Sequence, residues 1–277
     1  MRLKINFRLL HKNQLLPLNY QYPLSAWIYQ VLNRADKEFT NMLHEYGYKI
    51  ESGKTFKLFT FSKLNFPKKT WKIVPKSDRM KIWSHSAFLI ISFQLPEQTE
   101  KFVTGLFKKQ KVFIGDKNSG IDMEVESIEA LKDVKIGGCE NVKIGECENV
   151  GIVAKTAIVL GINVDGEKNE QYVLPIHDDY SRVFLQNLAD KYIATGKSPI
   201  DVNCMNFKIT KLYPKTNLQT IKAYTLAQTN VKGYYYEFEL TAPKDIIEVG
   251  LNAGFGSMNA LGFGFCEVMG GCENGEM

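Results

Sequence analysis

Residues 254–265, "GFGSMNALGFGF", contain four glycines within eleven positions. These glycines are the residues best suited to a close contact with the backbone. Glycine lets a ligand or another segment come close to the backbone. A dinucleotide site needs G-x-G-x-x-G between a strand and a following helix. Here the third glycine is missing, and the predicted helix precedes the loop. No Gly-Lys-Ser/Thr closes a P-loop either. The stretch therefore predicts close approach of a polynucleotide phosphate or of the protein itself, and not a nucleotide cofactor.

Metal-ligand and disulfide patterns are missing from the sequence. The four histidines, at positions 11, 44, 85 and 177, form no HxxxH pair, and the five cysteines form no CxxC pair. This spacing favours neither a zinc site nor a two-metal nuclease. We therefore predict no cofactor and a reducing, cytoplasmic setting. Without an apolar run of roughly 18 residues, no membrane association is predicted.

Charge is distributed unevenly along the 277 residues. Residues 1–118 contain 21 Lys and Arg against 8 Asp and Glu, whereas the rest of the chain is net acidic. A basic half of this kind is typical of proteins that bind a polyanion. A solvated basic face without a ligand is the equally simple alternative.

The elements that must position these residues follow one order twice. Strands near 2–10, 56–64, 87–94 and 111–114 alternate with helices near 24–34 and 97–108, and a similar set follows from residue 121. Asp36 and Gly47 are the expected cap and stop of a further helix. We predict an α+β fold with two tandem ferredoxin-like (RRM-like, βαββαβ) domains, residues 1–118 and 119–277, and a C-terminal glycine-rich loop. The near-duplicate "VKIGGCENVKIGECENV" is predicted to be a variable loop or hairpin.

The glycine pattern GxxxGFGxxxxxGFG over residues 250–264 resembles the signature loop of the repeat-associated RNA-processing superfamily of CRISPR systems. "WIYQVL", "LHEYG" and "KLFTFS", in that order, are similar to the active-site region of its repeat-processing endoribonucleases, and "FLQNLADKY" resembles a helix of their second domain. The resemblance implies cleavage of CRISPR repeat RNA, the precursor transcript, into guide units without a metal. The RNA's own 2′-hydroxyl attacks the phosphate, leaving a 2′,3′-cyclic phosphate and a 5′-hydroxyl. The resemblance also allows two kinds of protein partner, which are a second copy of the chain in a homodimer and other subunits of a CRISPR effector complex.

The same resemblance assigns three catalytic residues. His44 matches the catalytic histidine, and its place near a helix C-terminus suits a general acid for the leaving 5′-oxygen. Tyr29 matches a tyrosine that acts as base or orients the 2′-hydroxyl; simple core packing is the alternative. Lys57 matches a lysine that stabilises the charged phosphate, although other lysines are close in sequence.

RNA contacts are expected in two places. The first is the loop, at Gly254, Gly256, Ser257, Asn259, Gly262 and Gly264, where tight internal packing is the competing explanation. The second is the basic cluster of Lys68, Lys69 and Lys72. A non-catalytic RNA-binding structural subunit of a CRISPR ribonucleoprotein is the alternative function, since such a subunit would share the loop and need no catalytic histidine.

Overall fold

The computed structural model describes residues 1–132, 136, 147–162, 171–221 and 228–270. The elements of the first half are, in chain order, β1 (Arg2–Leu9), β2 (Gln14–Pro17), α1 (Gln21–Ala35), α2 (Lys37–Asn41), β3 (Tyr48–Lys49), β4 (Thr55–Phe56), β5 (Phe59–Phe61), β6 (Trp71–Ile73), β7 (Arg79–Ile82), β8 (Ser86–Phe93), α3 (Pro96–Lys108), β9 (Lys111–Gly115) and β10 (Gly120–Ala130). Those of the second half are β11 (Cys147–Ala154), β12 (Gly161–Ile162), β13 (Gln171–Tyr172), α4 (Tyr180–Ala194), β14 (Asn206–Ile221), β15 (Thr229–Pro243), α5 (Lys244–Ala253) and β16 (Cys266–Val268).

The first half is built on a five-stranded antiparallel sheet in the order β5-β8-β1-β10-β9. Leu3, Ile5 and Phe7 alternate along β1 on its buried face, as expected of a strand with one face in the core. Helices α1 and α3 contribute to the same core. The Trp27 ring of α1 lies 5.9 Å from Phe7 and 6.0 Å from Phe102 of α3, edge-on to both. This core holds α1 in a fixed orientation.

Two smaller antiparallel sheets are attached to this half. Strands β2, β7 and β6 form a three-stranded sheet, and β3 and β4 form a two-stranded hairpin, residues 48–56, called the arm below.

The second half is built on a four-stranded antiparallel sheet in the order β14-β15-β11-β16. Helix α4 packs on it through aromatic residues, since the Phe184 ring stacks on Phe207 at 4.0 Å and lies 5.4 Å from Phe238. The predicted α+β class is confirmed. None of the helices in the described ranges is long and apolar enough to cross a membrane.

The division between the halves differs from the prediction. Strand β10 pairs along β1 from Leu9–Met123 to Leu3–Ala130, and also pairs with β9. A boundary near residue 118 would separate two strands of one sheet, so we place it after Ala130 instead. Most of the repeated "KIGxCENV" segment, residues 135–150, lies outside the described residues, but its last four residues, from Cys147 to Val150, begin strand β11.

The helix predicted from residue 36 to 46 is two elements. Asp36 caps α2, because its carboxylate accepts a hydrogen bond from the Phe39 backbone N–H at 2.9 Å. The chain then widens into a π-helical turn, Met42–Tyr46, and stops at Gly47, whose φ is +68°. The cap and the stop were both predicted from the sequence.

Candidate active site

A cleft of about 800 Å³ lies between the two halves. Its walls come from α1, the π-helical turn, the arm with the residues that follow it, α4, and residues 254–265, called the glycine loop below. The cleft therefore brings together sequence segments that are more than 200 residues apart.

Tyr29 and His44 meet at this cleft. His44 is exposed on the π-helical turn, and Tyr29 is half-buried on α1. Their ring centroids are 4.9 Å apart with the planes at 84°, and the other side of Tyr29 packs on Phe59 at 5.7 Å. The imidazole is thus held against a fixed phenol ring while facing solvent.

Lys57, the third residue that the resemblance assigned to catalysis, lies beside this pair. Its Nζ donates a hydrogen bond to the His44 carbonyl at 2.8 Å, so the lysine fastens the turn that bears the imidazole. Gly47 leaves room for this contact, since a Cβ at Gly47 would lie 3.1 Å from Lys57 Cδ and 2.6 Å from the Phe56 carbonyl. Burial lowers the pKa of Lys57.

Burial acts on Tyr29 in the opposite sense and raises the pKa of its phenol far above the ordinary value. Tyr29 is therefore a neutral phenol at physiological pH, able to donate one hydrogen bond and to accept others. This favours the orienting role over the role of a base.

The glycines of the loop are explained by internal packing. Gly254, Gly256, Gly262 and Gly264 are buried and have φ between +71° and +89°. A Cβ at Gly264 would lie 1.9 Å from the Phe255 carbonyl oxygen, and one at Gly256 would lie 2.3 Å from the Val159 carbonyl oxygen. The packing alternative thus accounts for these positions. Contact with RNA stays a prediction, best placed at Ser257, which is half-exposed in the cleft wall.

Asn259 is buried and fully engaged within the protein. Its side-chain amide donates to the Phe255 carbonyl at 3.0 Å and to the Phe263 carbonyl at 3.1 Å, while its oxygen accepts from Lys191 Nζ at 2.6 Å. Its side chain therefore shapes the loop and has no amide hydrogen left for RNA.

Lys191 is the residue that sequence reasoning missed. Its side chain is buried, and Nζ also donates to the carbonyls of Gly254 and Gly256. Burial lowers the pKa of Lys191 to about 7, whereas three oxygen acceptors favour the ammonium form. The available signal was helical spacing, because Lys191 follows Phe184 and Leu188 on the apolar stripe of α4.

The first half holds the glycine loop from the other side. Three of the loop's carbonyls accept hydrogen bonds from side chains of α1 and β5: Gln21 Nε2 donates to Gly262 at 2.8 Å, Ser25 Oγ to Ala260 at 2.5 Å and Thr60 Oγ1 to Phe263 at 3.2 Å. The glycine loop is consequently part of the interface between the two halves.

Two family models match the chain in succession. The N-terminal model of the CRISPR-associated protein Cas6 matches residues 15–125, and its C-terminal model matches residues 140–268. The chain belongs to the Cas6 family. The resemblance seen in the sequence is thereby confirmed.

Curated relatives and solved structures agree with this Cas6 assignment. The chain is 28% identical to CRISPR-associated endoribonuclease Cas6 1 of Methanocaldococcus jannaschii, covering 90% of this chain and 85% of the relative. It is 26% identical to CRISPR-associated endoribonuclease Cas6 of Pyrococcus furiosus, covering 92% and 84%. The structure of a Cas6-related Pyrococcus furiosus protein superposes with a TM-score of 0.76 at 23% identity, covering 98% of both chains. A RAMP protein described as binding different RNA substrates gives 0.75 at 20%, covering 97% and 99%. These structures show a shared fold.

The predicted basic cluster does not reach the cleft. Lys68 and Lys69 lie in the turn before β6, and Lys72 lies within β6, at the edge of the three-stranded sheet. All three are exposed, and none lines the cleft. Their contact with RNA stays a prediction for a separate surface.

No three His, Cys, Asp or Glu side chains group as metal ligands within the described part of the chain. That catalysis needs no metal stays a prediction.

Proposed function

We propose that this Cas6-family chain is a metal-independent endoribonuclease that cuts CRISPR precursor RNA within its repeats to release guide RNAs. The naming of its relatives as CRISPR-associated endoribonucleases supports the substrate. The element order and sheet orders of the two halves support two ferredoxin-like units. We place the enzyme in the cytoplasm, and we propose that it assembles as a homodimer or with other subunits of a CRISPR effector complex.

The observation that carries the proposal is the grouping of Tyr29, His44 and Lys57. An aromatic pair 4.9 Å apart and a lysine bonded to the His44 backbone stand together in one cleft wall. Transfer of a phosphoryl group to a neighbouring 2′-hydroxyl needs a proton for the leaving 5′-oxygen, an oriented nucleophile and positive charge at the phosphate. These side-chain types match those needs.

Each residue then has one role. His44, exposed beside the cleft, donates the proton to the departing 5′-oxygen. Tyr29, a neutral phenol, orients the attacking 2′-hydroxyl by a hydrogen bond. Lys57 holds the His44 turn through one N–H and has two further N–H groups for phosphate oxygens. The 2′-hydroxyl gives up its proton to solvent water as its oxygen forms the new bond to phosphorus, and the 5′-oxygen leaves with the proton from His44, giving a 2′,3′-cyclic phosphate and a 5′-hydroxyl.

The test is cleavage of a labelled repeat RNA in EDTA by wild type and His44→Ala. Removal of a general acid typically lowers the rate by roughly 10²- to 10⁴-fold, and we expect a loss in this range with RNA binding retained. An RNA with a 2′-deoxy substitution at the cut site should resist cleavage. His11→Ala is the matched control, because His11 is exposed and lies outside the cleft.

Two outcomes would redirect the assignment. Cleavage that requires an added divalent metal would refute the proposed mechanism while leaving the nuclease activity. Tight binding without cleavage of any cognate repeat would instead support the non-catalytic structural subunit.

A further inference from the structure

Helix α4 carries two adjacent buried charged residues, Asp190 and Lys191, which are 5% and 2% exposed. Burying charged groups costs solvation free energy. Well-packed apolar side chains in their place often give a protein that is equally stable. Their contacts show what each charge does, because the two side chains reach in different directions.

Lys191 is bound to the glycine loop at three points. Its Nζ lies 2.5 Å from the carbonyl oxygens of Gly254 and Gly256 and 2.6 Å from Asn259 Oδ1. An ammonium group has three N–H donors, and these contacts use all of them. The three acceptors span six residues of the loop, so one side chain fixes the path of the segment that contains Ser257.

Asp190 is bound to the opposite wall of the cleft. Its Oδ2 accepts from Lys54 Nζ at 2.6 Å, and its Oδ1 accepts from Gln186 Nε2 at 2.8 Å within α4. Lys54 directly precedes strand β4 of the arm and lies three residues before Lys57. Asp190 thus ties the first-half segment that supplies Lys57 to a helix of the second half.

We propose that Asp190 and Lys191 are positioning residues that set the two walls of the cleft from a single helix. Lys191 holds the wall that contains Ser257 and faces the RNA. Asp190 holds the arm and, through it, the position of Lys57. The interpretation of the single-turnover rate constant rests on the proposed function, whereas the interpretation of amide hydrogen exchange does not.

The experiment compares Lys191→Met, Asp190→Asn and Leu188→Ala, the last being a matched control. Leu188 is 2% exposed on the same helix, belongs to the apolar core of the second half and does not line the cleft, so its truncation destabilises α4 without removing a hydrogen bond to either wall. Three quantities are measured well below the melting temperature. They are amide hydrogen exchange of residues 254–264 and 54–58, the Kd for 2′-deoxy repeat RNA, and the single-turnover rate constant at saturating enzyme.

We expect each variant to affect one wall. Lys191→Met should speed exchange in the loop and weaken RNA binding, each by about tenfold, because unpaired buried acceptors free the loop. Asp190→Asn should speed exchange in residues 54–58 and lower the rate constant by about tenfold, with little change in Kd. Leu188→Ala should lower the melting temperature without either pattern.

Equal exchange in the loop of Lys191→Met and Leu188→Ala would overturn the role of Lys191. The same comparison for residues 54–58 decides the role of Asp190. If wild type binds RNA but never cuts it, the proposed function fails, while exchange and binding still decide this proposal. Should a variant fail to fold, Lys191→Gln and Lys54→Met replace it, since glutamine keeps two donors and Lys54 is partly exposed.

Discussion

Replacing Gly264 by alanine separates the packing explanation of the glycine loop from the RNA explanation. The residue has φ +71°, and a Cβ there would lie 1.9 Å from the Phe255 carbonyl oxygen and 2.5 Å from Asn259 Nδ2. A left-handed conformation costs a non-glycine residue roughly 1–2 kcal/mol. Overlap with a packed backbone adds about 1–3 kcal/mol. We therefore expect the free energy of unfolding to fall by about 2–5 kcal/mol.

Gly196→Ala is the control, because Gly196 has φ +84° but nothing within 4 Å of the added Cβ. It should show the conformational cost alone, about 1–2 kcal/mol. Urea denaturation of the RNA-free protein measures both free energies. If Gly264→Ala were no less stable than Gly196→Ala and lost only RNA affinity, the packing explanation would be refuted.

Three further predictions concern single side chains. Tyr29→Phe keeps the ring contact with His44 but removes the hydroxyl, so the single-turnover rate constant should fall about tenfold. An unchanged rate constant would show that the Tyr29 side chain serves only in packing. Lys57→Met removes the hydrogen bond to the His44 carbonyl and a phosphate-facing charge, and should lower the same rate constant by at least about tenfold, with RNA binding largely kept; a loss of binding with an unaltered rate would contradict this. Asp36 has a pKa lowered first by its hydrogen bond from Lys101 and next by that from the Phe39 N–H. Its carboxylate therefore contributes stability above the unfolded pKa of about 4, which is lost as the pH falls through the folded pKa. Asp36→Asn should accordingly show a smaller drop in unfolding free energy between about pH 6 and pH 3 than wild type, measured in urea.

The features predicted well from the sequence are those fixed by short-range interactions. Asp36 caps its helix by bonding a residue three positions ahead, and Gly47 ends the next turn through its own backbone conformation. Tyr29 and His44 were assigned through the family resemblance and not through a local signal of this kind. The cap and the stop are each contained within a few residues of sequence.

The features missed depend on partners far along the chain. Strand β10 was predicted as a strand, but its membership of the first sheet is decided by pairing with β1, more than 100 residues away. Lysine is almost never fully buried unless it is paired, so its residue type gave no reason to expect Lys191 in the core. Its burial is set by a loop that begins 63 residues later. The glycines, likewise, could not reveal whether protein or RNA approached them.

Arg2 in the first strand has a consequence for how the protein is made. Its guanidinium is buried and donates to the carbonyls of Leu251 and Cys266 at 2.9 and 2.8 Å. A nascent chain offers neither acceptor to Arg2 until residue 251 has been synthesised, and both only after residue 266. The first half therefore emerges with one buried face still uncovered, and a prematurely terminated chain cannot assemble the cleft. An incomplete chain therefore lacks the complete cleft.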